Sequence, residues 1–532
     1  MTKTKAKETN ELSLESILWN CRVALRGIGG NEKNRDAVMG LVFLKFAGDK
    51  FETRREQIKL EHGDVEAFLN KPSFYLSHSV FYLPEHCRWQ HIVQNASDSG
   101  LAVIIDKAMM DIVDKNPSLQ GALPQSFYSG FGATQRDLKK LIDEINKIDQ
   151  KRFVDNDLIG RVYEYFLQTF AVAATKEEGE FYTPASLVSL IAELIEPYEG
   201  VVYDPCCGTG GMFVQSHKFI ERHHGNRLKV SIYGQEKSPE TRRLAKLNLA
   251  IRGISHNLGK PTGEQQSSFQ NDQHEDLKVD FIMANPPFNF KDWRGEDELT
   301  TDPRWRGYQV PPKSNANYAW ILHMIDKLKV DNGIAGFLLA NGALNADGIE
   351  GRIREQLIKN DKIEAIIVLP RDMFYTTDIS VTLWIVNNNK KARELNGRKL
   401  KDRQNQVLFV DLRRWSDNLE AYKLDGGSTK KKVVLNEEQI AKVKDIYFNW
   451  QTGLGYTDVP ELCKSATLDE IAKQNYSLSP SKYIEFVDRD LDIDYDKEMK
   501  RIQQEMKDIL QQEKQSQQML QDAFRGIGYG ID

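Results

Sequence analysis

Short apolar runs alternate with longer amphipathic stretches between residue 200 and about residue 370. Short apolar runs are typical of buried strands, and apolar residues that recur every three or four positions are typical of helices. Strands are predicted at residues 201–204, 229–235, 279–283, 334–339 and 363–369, with a last strand at 380–386. This alternation predicts a mostly parallel sheet with helices packed on it, closed by an antiparallel strand at one edge.

The two ends of the chain have helical patterns only. The spacing of apolar positions in residues 1–150 predicts a mostly helical docking or clamp domain without a recognisable site. Residues 495–524 predict a long polar helix whose apolar stripe is too thin to form a core, so it should pack against another helix in this chain or a partner. We therefore expect a helical domain at 1–150, a sheet domain at 151–485 and a helical tail at 486–532.

Composition narrows the class of protein. Of 532 residues, 40% are hydrophobic and 28% are charged, no apolar run approaches a membrane span, and the polar start lacks the apolar centre of a secretory signal. Five cysteines without CxxC spacing indicate free thiols in a reducing cytoplasm, and no metal site is predicted. The net charge of −5 is not typical of a protein that grips nucleic acid over its whole surface.

The strongest candidate chemistry follows the strand at 279–283. Asn285 is followed by Pro286, Pro287 and Phe288, and the prolines end the strand and fix the direction of the Asn285 side chain. The Asn285 side-chain oxygen and the Pro286 carbonyl are two acceptors for an adenine amino group, and Phe288 offers a flat face to an unstacked base. A proline-terminated strand with a structural asparagine remains the alternative interpretation.

A glycine-rich turn follows the first strand. Asp204 lies at the tip of that strand, and Gly208, Gly210 and Gly211 precede a helix, as in the first turn of a nucleotide-binding sheet. The dinucleotide fingerprint is absent, and an acid before bunched glycines suits a ligand with an amino-acid group and a ribose. Glu236 ends the second strand, where an acid can accept both ribose hydroxyls. A plain tight turn and an ordinary strand-end acid remain alternatives.

Two further segments carry candidate ligand contacts. Residues 179–184 form a polar turn with adjacent aromatics before a helix, which alone is weak evidence. The long loop at 289–316 interleaves arginines with tryptophan and tyrosine, a mixture that suits phosphate and base contacts or a solvated loop held by its aromatic residues. Basic runs at 387–404 and 430–432 are the best local basic patches, and a solvated face explains them as well.

The aromatic turn, the glycine turn, the acid and Asn285 to Phe288 follow one another in chain order and should meet at the carboxyl edge of one sheet. This order resembles S-adenosylmethionine-dependent N6-adenine DNA methyltransferases, and more closely the modification subunits of type I restriction–modification systems. The resemblance spans nearly the whole chain. It implies an α/β fold: a Rossmann-like S-adenosylmethionine-dependent methyltransferase sheet with an N-terminal all-helical domain and a C-terminal helical tail.

The resemblance also implies the site residues. Asn285, Pro286, Pro287 and Phe288 would be catalytic and hold the flipped adenine. The residues implied to bind S-adenosylmethionine are Glu180, Phe181, Tyr182, Thr183, Pro184, Asp204, Gly208, Thr209, Gly210, Gly211 and Glu236. Residues 180–184 would cover the methionine end of the cofactor, with residues 209–211 beneath it. The family commonly has an acid where this chain reads Gln266-Ser267-Ser268-Phe269, so the contact to the cofactor adenine is unassigned, and Asp272 is the nearest acid.

The implied reaction is direct in-line methyl transfer to N6, which depends on positioning rather than on a strong base. No segment between Gly211 and Asn285 or after Val386 is long and organised enough to be a target-recognition domain. Together with the acidic balance, this predicts that a separate specificity subunit reads the sequence of the double-stranded DNA substrate that the resemblance implies. The resemblance further implies a restriction subunit as partner and two methyltransferase copies per specificity subunit.

Three other functions are compatible with the sequence. A stand-alone N6-adenine DNA methyltransferase would bind a defined site without partners. A methyltransferase acting on RNA or on protein glutamine would share the Asn-Pro-Pro segment. A non-catalytic binding module would fail to bind the cofactor.

Overall fold

The computed structural model describes residues 14–148, 183–260, 267–374, 378–423, 429–487 and 495–526. It divides into two compact units. The first comprises Met1–Asp458 with Leu462–Tyr483, and the second comprises Val459–Glu461 with Ile484–Asp532.

The N-terminal part of the first unit is helical, as predicted. Its α-helices are α1 (Leu14–Ala24), α2 (Asn31–His62), α3 (Glu66–Leu69), α4 (Ser73–Leu76), α5 (Trp89–Gln94), α6 (Leu101–Lys115) and α7 (Gln135–Ile145). The last of these begins at a capping box. The Thr134 side chain accepts a hydrogen bond from the Asp137 backbone N–H, and the Asp137 side chain accepts one from the Thr134 backbone N–H. The second helix begins at Asn31 and continues for 32 residues.

One nine-stranded sheet forms the centre of the remaining chain. Its strands are β1 (Gly200–Asp204), β2 (Val230–Gly234), β3 (His256–Asn257), β4 (Phe281–Ala284), β5 (Ile334–Ala340), β6 (Ile363–Val368), β7 (Val381–Asn387), β10 (Gln406–Asp411) and β13 (Cys463–Thr467). The spatial order is β13-β10-β6-β7-β5-β4-β1-β2-β3. Two hairpins lie outside this sheet: β8 (Arg393–Leu395) with β9 (Arg398–Leu400), and β11 (Leu419–Lys423) with β12 (Thr429–Val433).

Helices alternate with these strands. They are α8 (Ala185–Ile195), α9 (Gly211–Arg222), α10 (Pro239–Ile251), α11 (Asn317–Lys327), α12 (Gly348–Lys359), α13 (Glu437–Thr452) and α14 (Leu468–Lys473). The predicted strand–helix alternation is therefore present, with boundaries that differ by a few residues.

The position of the antiparallel strand differs from the prediction. β7 lies between β5 and β6 and pairs antiparallel with both, so it is an interior strand rather than an edge. The sheet continues past β6 to β10, and the antiparallel strand at that edge is β13. All seven residues of β7 are buried, and a run that is apolar on both faces is typical of an interior strand.

The helical domain packs against the sheet domain through α10. Leu244, Leu247 and Ala250 belong to the same apolar cluster as the buried residues of the N-terminal helices. An ion pair between Arg243 and Asp36, with a nitrogen–oxygen distance of 2.5 Å, lies beside this contact. The N-terminal domain is thus joined to the helix that directly follows Glu236.

The basic run at 387–404 is partly buried. Lys390 is 3% exposed and pairs with Asp361, and Arg403 and Glu364, both fully buried, pair at 3.0 Å. These two cations stabilise the sheet and are not available to a ligand at the surface.

The second unit contains α15 (Tyr495–Gly526), a 32-residue helix in the predicted place. Its apolar residues include Met506 and Ile509, which are 61% and 63% exposed. Across the described ranges, none of the helices combines the length and the apolar character needed to cross a membrane.

Candidate active site

Three predicted polar residues reach the same edge of the sheet. β1 pairs in parallel with both β2 and β4, so the carboxyl ends of these strands are adjacent. Asp204 ends β1, Glu236 lies two residues after β2, and Asn285 directly follows β4. The carboxyl edge of a parallel sheet is where ligands bind in such folds.

The Asn285 side-chain amide has a hydrogen-bond partner for its nitrogen but, among the described residues, none for its oxygen. Its Nδ2 donates to Thr183 Oγ1 at 2.9 Å, across 102 positions of sequence. Its Oδ1 is buried and has no hydrogen-bond partner among the described residues. An unpaired buried acceptor costs about 1–3 kcal/mol, so such an atom is typical of a place where a donor arrives with a ligand. Pro286 is buried beside it.

Phe288 has an aromatic neighbour that the sequence analysis missed. The rings of Phe288 and Phe374 are nearly perpendicular, with their centroids 5.9 Å apart. Both residues are largely buried. Phe374 follows Leu369 and Pro370, so it too comes shortly after an apolar strand ended by proline. The same order of apolar strand, proline and phenylalanine occurs at Asn285 to Phe288, and this repetition is the sequence signal that could have identified Phe374.

The glycine turn has the conformation that its sequence predicts. Gly208 and Gly210 have φ of +53° and +82°, which favours glycine, and Gly210 precedes the first turn of α9. A Cβ added to Gly208 or Gly211 would meet no atom within 4 Å, so open space lies above the turn. The carbonyl of Thr209 accepts from Asn248 Nδ2 at 2.7 Å, which fixes the turn to α10.

Glu236 connects two loops at this edge. One of its carboxylate oxygens accepts from the Gly208 backbone N–H and the other from the Ser238 backbone N–H, both at 2.9 Å. Asp204 is 1% exposed and accepts from the Cys206 backbone N–H at 3.0 Å. The pKa of Asp204 is raised to about 7, mainly by burial and to a smaller extent by the Glu236 charge, against the lowering effect of the hydrogen bonds from Cys206.

The segment at 267–274 lies across the tips of β1 and β2. Ser268 Oγ donates to the Pro205 carbonyl, while the Gln235 side chain donates to the Asn271 carbonyl and accepts from the Gln273 backbone. Asp272, the nearest acid to the departure from the family pattern, pairs with Lys327 at 2.6 Å, and both side chains are largely buried. This acid therefore stabilises the protein interior.

The loop at 289–316 is held by its own aromatic residues. Trp293 and Trp305 are each 3% exposed, and their indole N–H groups donate to the carbonyls of Pro312 and Leu299. The Phe269 ring lies 4.6 Å from Trp293, centroid to centroid. Of the two interpretations of this loop, the internal contacts of its tryptophans favour the loop held by its aromatics.

Part of the predicted cofactor site is outside the described residues. Glu180, Phe181 and Tyr182 fall there. Thr183 and Pro184 are described, and Pro184 lies directly before α8. The contact from Asn285 to Thr183 brings the end of this turn to the carboxyl edge of the sheet.

One cluster of potential metal ligands occurs away from this edge. His86, Cys87 and Asp111 place three ligand atoms within 4.8 Å of one another. His86 Nε2 and Asp111 Oδ2 are 2.5 Å apart, closer than the roughly 3 Å between two ligands of one tetrahedral ion. This distance is that of a hydrogen bond between the two side chains.

Comparison with known proteins identifies the family. The model of the N-6 DNA methylase family matches residues 154–490, and the model of the HsdM N-terminal domain matches residues 14–145. The chain is 38% identical over 472 residues to the HindI methylase subunit of Haemophilus influenzae, covering 84% of this chain and 100% of that protein. The chain belongs to the family of type I restriction enzyme methylase subunits.

A second methylase subunit, MjaIX of Methanocaldococcus jannaschii, is 32% identical over 535 residues, which covers 97% of this chain and 91% of that protein. Among solved structures, a type I methyltransferase subunit from Streptococcus thermophilus matches with a TM-score of 0.68 at 21% identity, covering 89% of this chain and 99% of that one. The predicted family, methyltransferase fold and N6-adenine DNA methyltransferase class are confirmed.

Proposed function

We propose that this chain binds S-adenosylmethionine across the tips of β4, β1 and β2 and methylates N6 of an adenine flipped out of double-stranded DNA. The observation that carries this proposal is the buried Oδ1 of Asn285 at the end of β4, which has no hydrogen-bond partner among the residues that the structure describes. An exocyclic amino group is a donor that would satisfy this oxygen.

The residues at the edge fit the cofactor. Open space above Gly208 and Gly211 leaves room for its methionine end, and the cationic ligand would lie beside Asp204. Glu236 is oriented by two backbone N–H groups, and a carboxylate at this strand tip is the kind of group that accepts hydrogen bonds from ribose hydroxyls. We assign Thr209, Gly210, Thr183 and Pro184 to the same site, together with Glu180, Phe181 and Tyr182.

When bound, S-adenosylmethionine supplies an electrophilic methyl group on its sulfonium. Asn285 Oδ1 and the Pro286 carbonyl accept the two amino hydrogens of adenine and so direct the nitrogen lone pair toward the cofactor. These acceptors also stabilise the positive charge that develops on the nitrogen, and one such preorganised contact is worth about 10²–10³ in rate. Asn285 is not a base, so the reaction depends on position and on these acceptors.

Aromatic residues form the base site in this proposal. Phe288 provides the face on which the flipped adenine stacks, Pro287 keeps it in place, and Phe374 supports Phe288 edge-on. Unstacking the base costs a few kcal/mol, which stacking against Phe288 partly offsets.

The chain acts with partners in our proposal. The net charge of −5 leaves much of the DNA-backbone contact to another subunit. A specificity subunit would read the DNA sequence, a restriction subunit would join the assembly, and two copies of this chain would serve each specificity subunit. The exposed apolar stripe of α15 is the dock that we assign to a partner helix, with the domain division 1–150, 151–485 and 486–532.

The test is transfer of tritiated methyl groups from S-adenosylmethionine to DNA. The chain is assayed alone and together with the specificity subunit encoded beside it, and digestion of the product identifies N6-methyladenine. We expect transfer only in the presence of the partner. Transfer to RNA or to a protein glutamine, or transfer to DNA by the chain alone, would contradict the proposal.

A further inference from the structure

Arg304 joins the loop at 289–316 to the segment at 267–274. Its side chain is 8% exposed, and its guanidinium donates to the carbonyls of Ser268 and Phe269 at 2.9 and 2.7 Å. These carbonyls belong to successive residues, and a planar guanidinium presents donors in a fork that can reach both. The contact spans 35 positions of sequence from Phe269.

The guanidinium itself is held in a single orientation. Asp302 accepts from Nε at 2.8 Å and from Nη2 at 2.6 Å, and His323 Nδ1 lies 3.0 Å from Nη1. Arginine only donates, so His323 Nδ1 is the acceptor, and the ring proton lies on Nε2, which faces the Tyr203 hydroxyl at 3.3 Å. Burial, followed by the Arg304 charge, lowers the pKa of His323 to about 3, which agrees with a neutral ring.

The segment that Arg304 holds faces one end of the proposed cofactor site. In the sheet order β4-β1-β2, Asn285 marks the methyl-transfer end and Glu236 the ribose. The adenine end of the cofactor must then lie beyond Glu236, where Gln235 fixes the segment at Asn271 and Gln273. Ser268 fastens the same segment to Pro205, at the tip of β1.

We infer that Arg304 is a positioning residue that fixes residues 268–271 as a wall for the adenine end of S-adenosylmethionine. This inference rests on the proposed function and extends it to a residue in the loop after Phe288. Arg304 does not touch the cofactor. It acts by holding two backbone carbonyls, so that the loop near the base site and the wall of the cofactor site move together.

The test measures cofactor binding by the full-length chain with isothermal titration calorimetry. Two ligands are titrated: S-adenosylmethionine, and adenosine, which has the adenine and ribose without the methionine. The variants are R304A and R304K, and the matched control is R306A, which removes the exposed arginine two residues later in the same loop. Thermal melting of each variant reports folding.

We expect R304A to raise the Kd of both ligands by the same factor, about tenfold, because the wall that both contact loses two hydrogen bonds. R304K should raise both by about threefold, since an ammonium group reaches one carbonyl at a time. R306A should stay within about twofold of the unmodified chain. With the specificity subunit and saturating cofactor, kcat of R304K should change by less than about twofold, so the loss lies in cofactor KM.

Two results would overturn this inference alone: R304A and R304K binding adenosine as the unmodified chain does, or a higher KM for DNA with unchanged cofactor Kd. If R304A does not fold, R304K decides by the same criterion. Failure of the unmodified chain to bind S-adenosylmethionine would overturn the proposed function and this inference with it.

Discussion

The two ends of β4 carry polar residues that differ in how completely their hydrogen-bonding groups are paired within the described chain. Asp280, directly before the strand, accepts from the Val201 backbone at 2.9 Å and from Lys329 Nζ at 2.8 and 2.9 Å. Asn285, directly after it, uses its donor on Thr183 and leaves a buried acceptor without a partner in the part of the chain that the structure describes. The strand between them has three buried residues of four.

Within six residues, a side chain whose contacts stabilise the fold is followed by one that we propose to bind the substrate. At the Asp280 end, every contact is made inside the protein, and the packing is so close that a Cβ on Gly200, at φ +116°, would meet the Asp280 carboxylate at 2.5 Å. At the Asn285 end, Oδ1 makes no hydrogen bond to the described residues, so the stability that such a bond would add is absent. A polar residue that is fully paired stabilises the fold, whereas one held with a free acceptor is prepared for a ligand.

The largest expected effect is on chemistry at the Asn285 end. N285A removes the acceptor for the adenine amino group, and we expect methyl transfer with the partner subunit to fall by about 10³-fold. N285A gives up one described hydrogen bond, from Nδ2 to Thr183, and also removes a buried Oδ1 that has no described protein partner, so the melting temperature should change little. N285D is the matched control: it keeps an oxygen acceptor and should retain more activity. Equal activity of N285A and the unmodified chain would refute the assignment.

At the Asp280 end, we expect a substitution to lower stability and to leave cofactor binding unchanged. D280A leaves the half-buried Val201 N–H unpaired and removes the partner of Lys329, so we expect the free energy of unfolding to fall by about 2 kcal/mol. Urea-induced unfolding measures this loss, and D280N, which keeps an acceptor, should lose less. The Kd for S-adenosylmethionine should remain unchanged at a temperature where D280A is folded. A large change in that Kd would mean that the two ends are not separable.

A smaller effect is expected for the residue that orients Asn285. T183V removes the oxygen that accepts from Asn285 Nδ2 and keeps the shape of the side chain. The amide is then free to turn, and we expect kcat to fall by about tenfold while the KM for DNA stays nearly constant. T183S restores the oxygen and should restore kcat. If T183V and T183S are equally active, the contact does not position the amide.

The smallest effect is a dependence of cofactor binding on pH. The pKa of Asp204 is raised to about 7, so the carboxyl gains its charge as pH rises through that value. A cationic cofactor favours the ionised form, and its affinity should increase by about threefold between about pH 6 and about pH 8, with proton release on binding. Calorimetry in two buffers of different ionisation enthalpy measures the protons. D204N should bind with little such release, and identical release by both chains would contradict this role.

Local chemistry made the positions of Asp204, Glu236 and Asn285 at or near the strand tips predictable. The prolines after Asn285 and the glycines after Asp204 restrict the backbone whatever the rest of the chain does, and Glu236 follows a short apolar run. The hydrogen bonds that orient the side chains and loops at this edge were not predictable. The bond from Asn285 to Thr183 and the hold of Arg304 on Phe269 join distant segments, and no local pattern encodes them.

The sheet shows the same limit. β7 was predicted as a strand because its residues are apolar and β-branched, but its place between β5 and β6 depends on which edges are open when the chain folds. Lys390 and Arg403 belong to a run that predicts a basic surface, yet Asp361 and Glu364 in distant parts of the chain draw both into the interior.

The contact of α10 with the N-terminal helices has a consequence for dissecting the protein. Two family models match the two parts of the chain separately, which invites truncation between them. A fragment that starts near residue 150 would present Leu244, Leu247 and Ala250 to water, on the helix whose N-cap residue, Ser238, donates a hydrogen bond to Glu236. We expect such a fragment to aggregate and to be poorly soluble, so the helical domain should be treated as an integral part of the protein rather than a removable module.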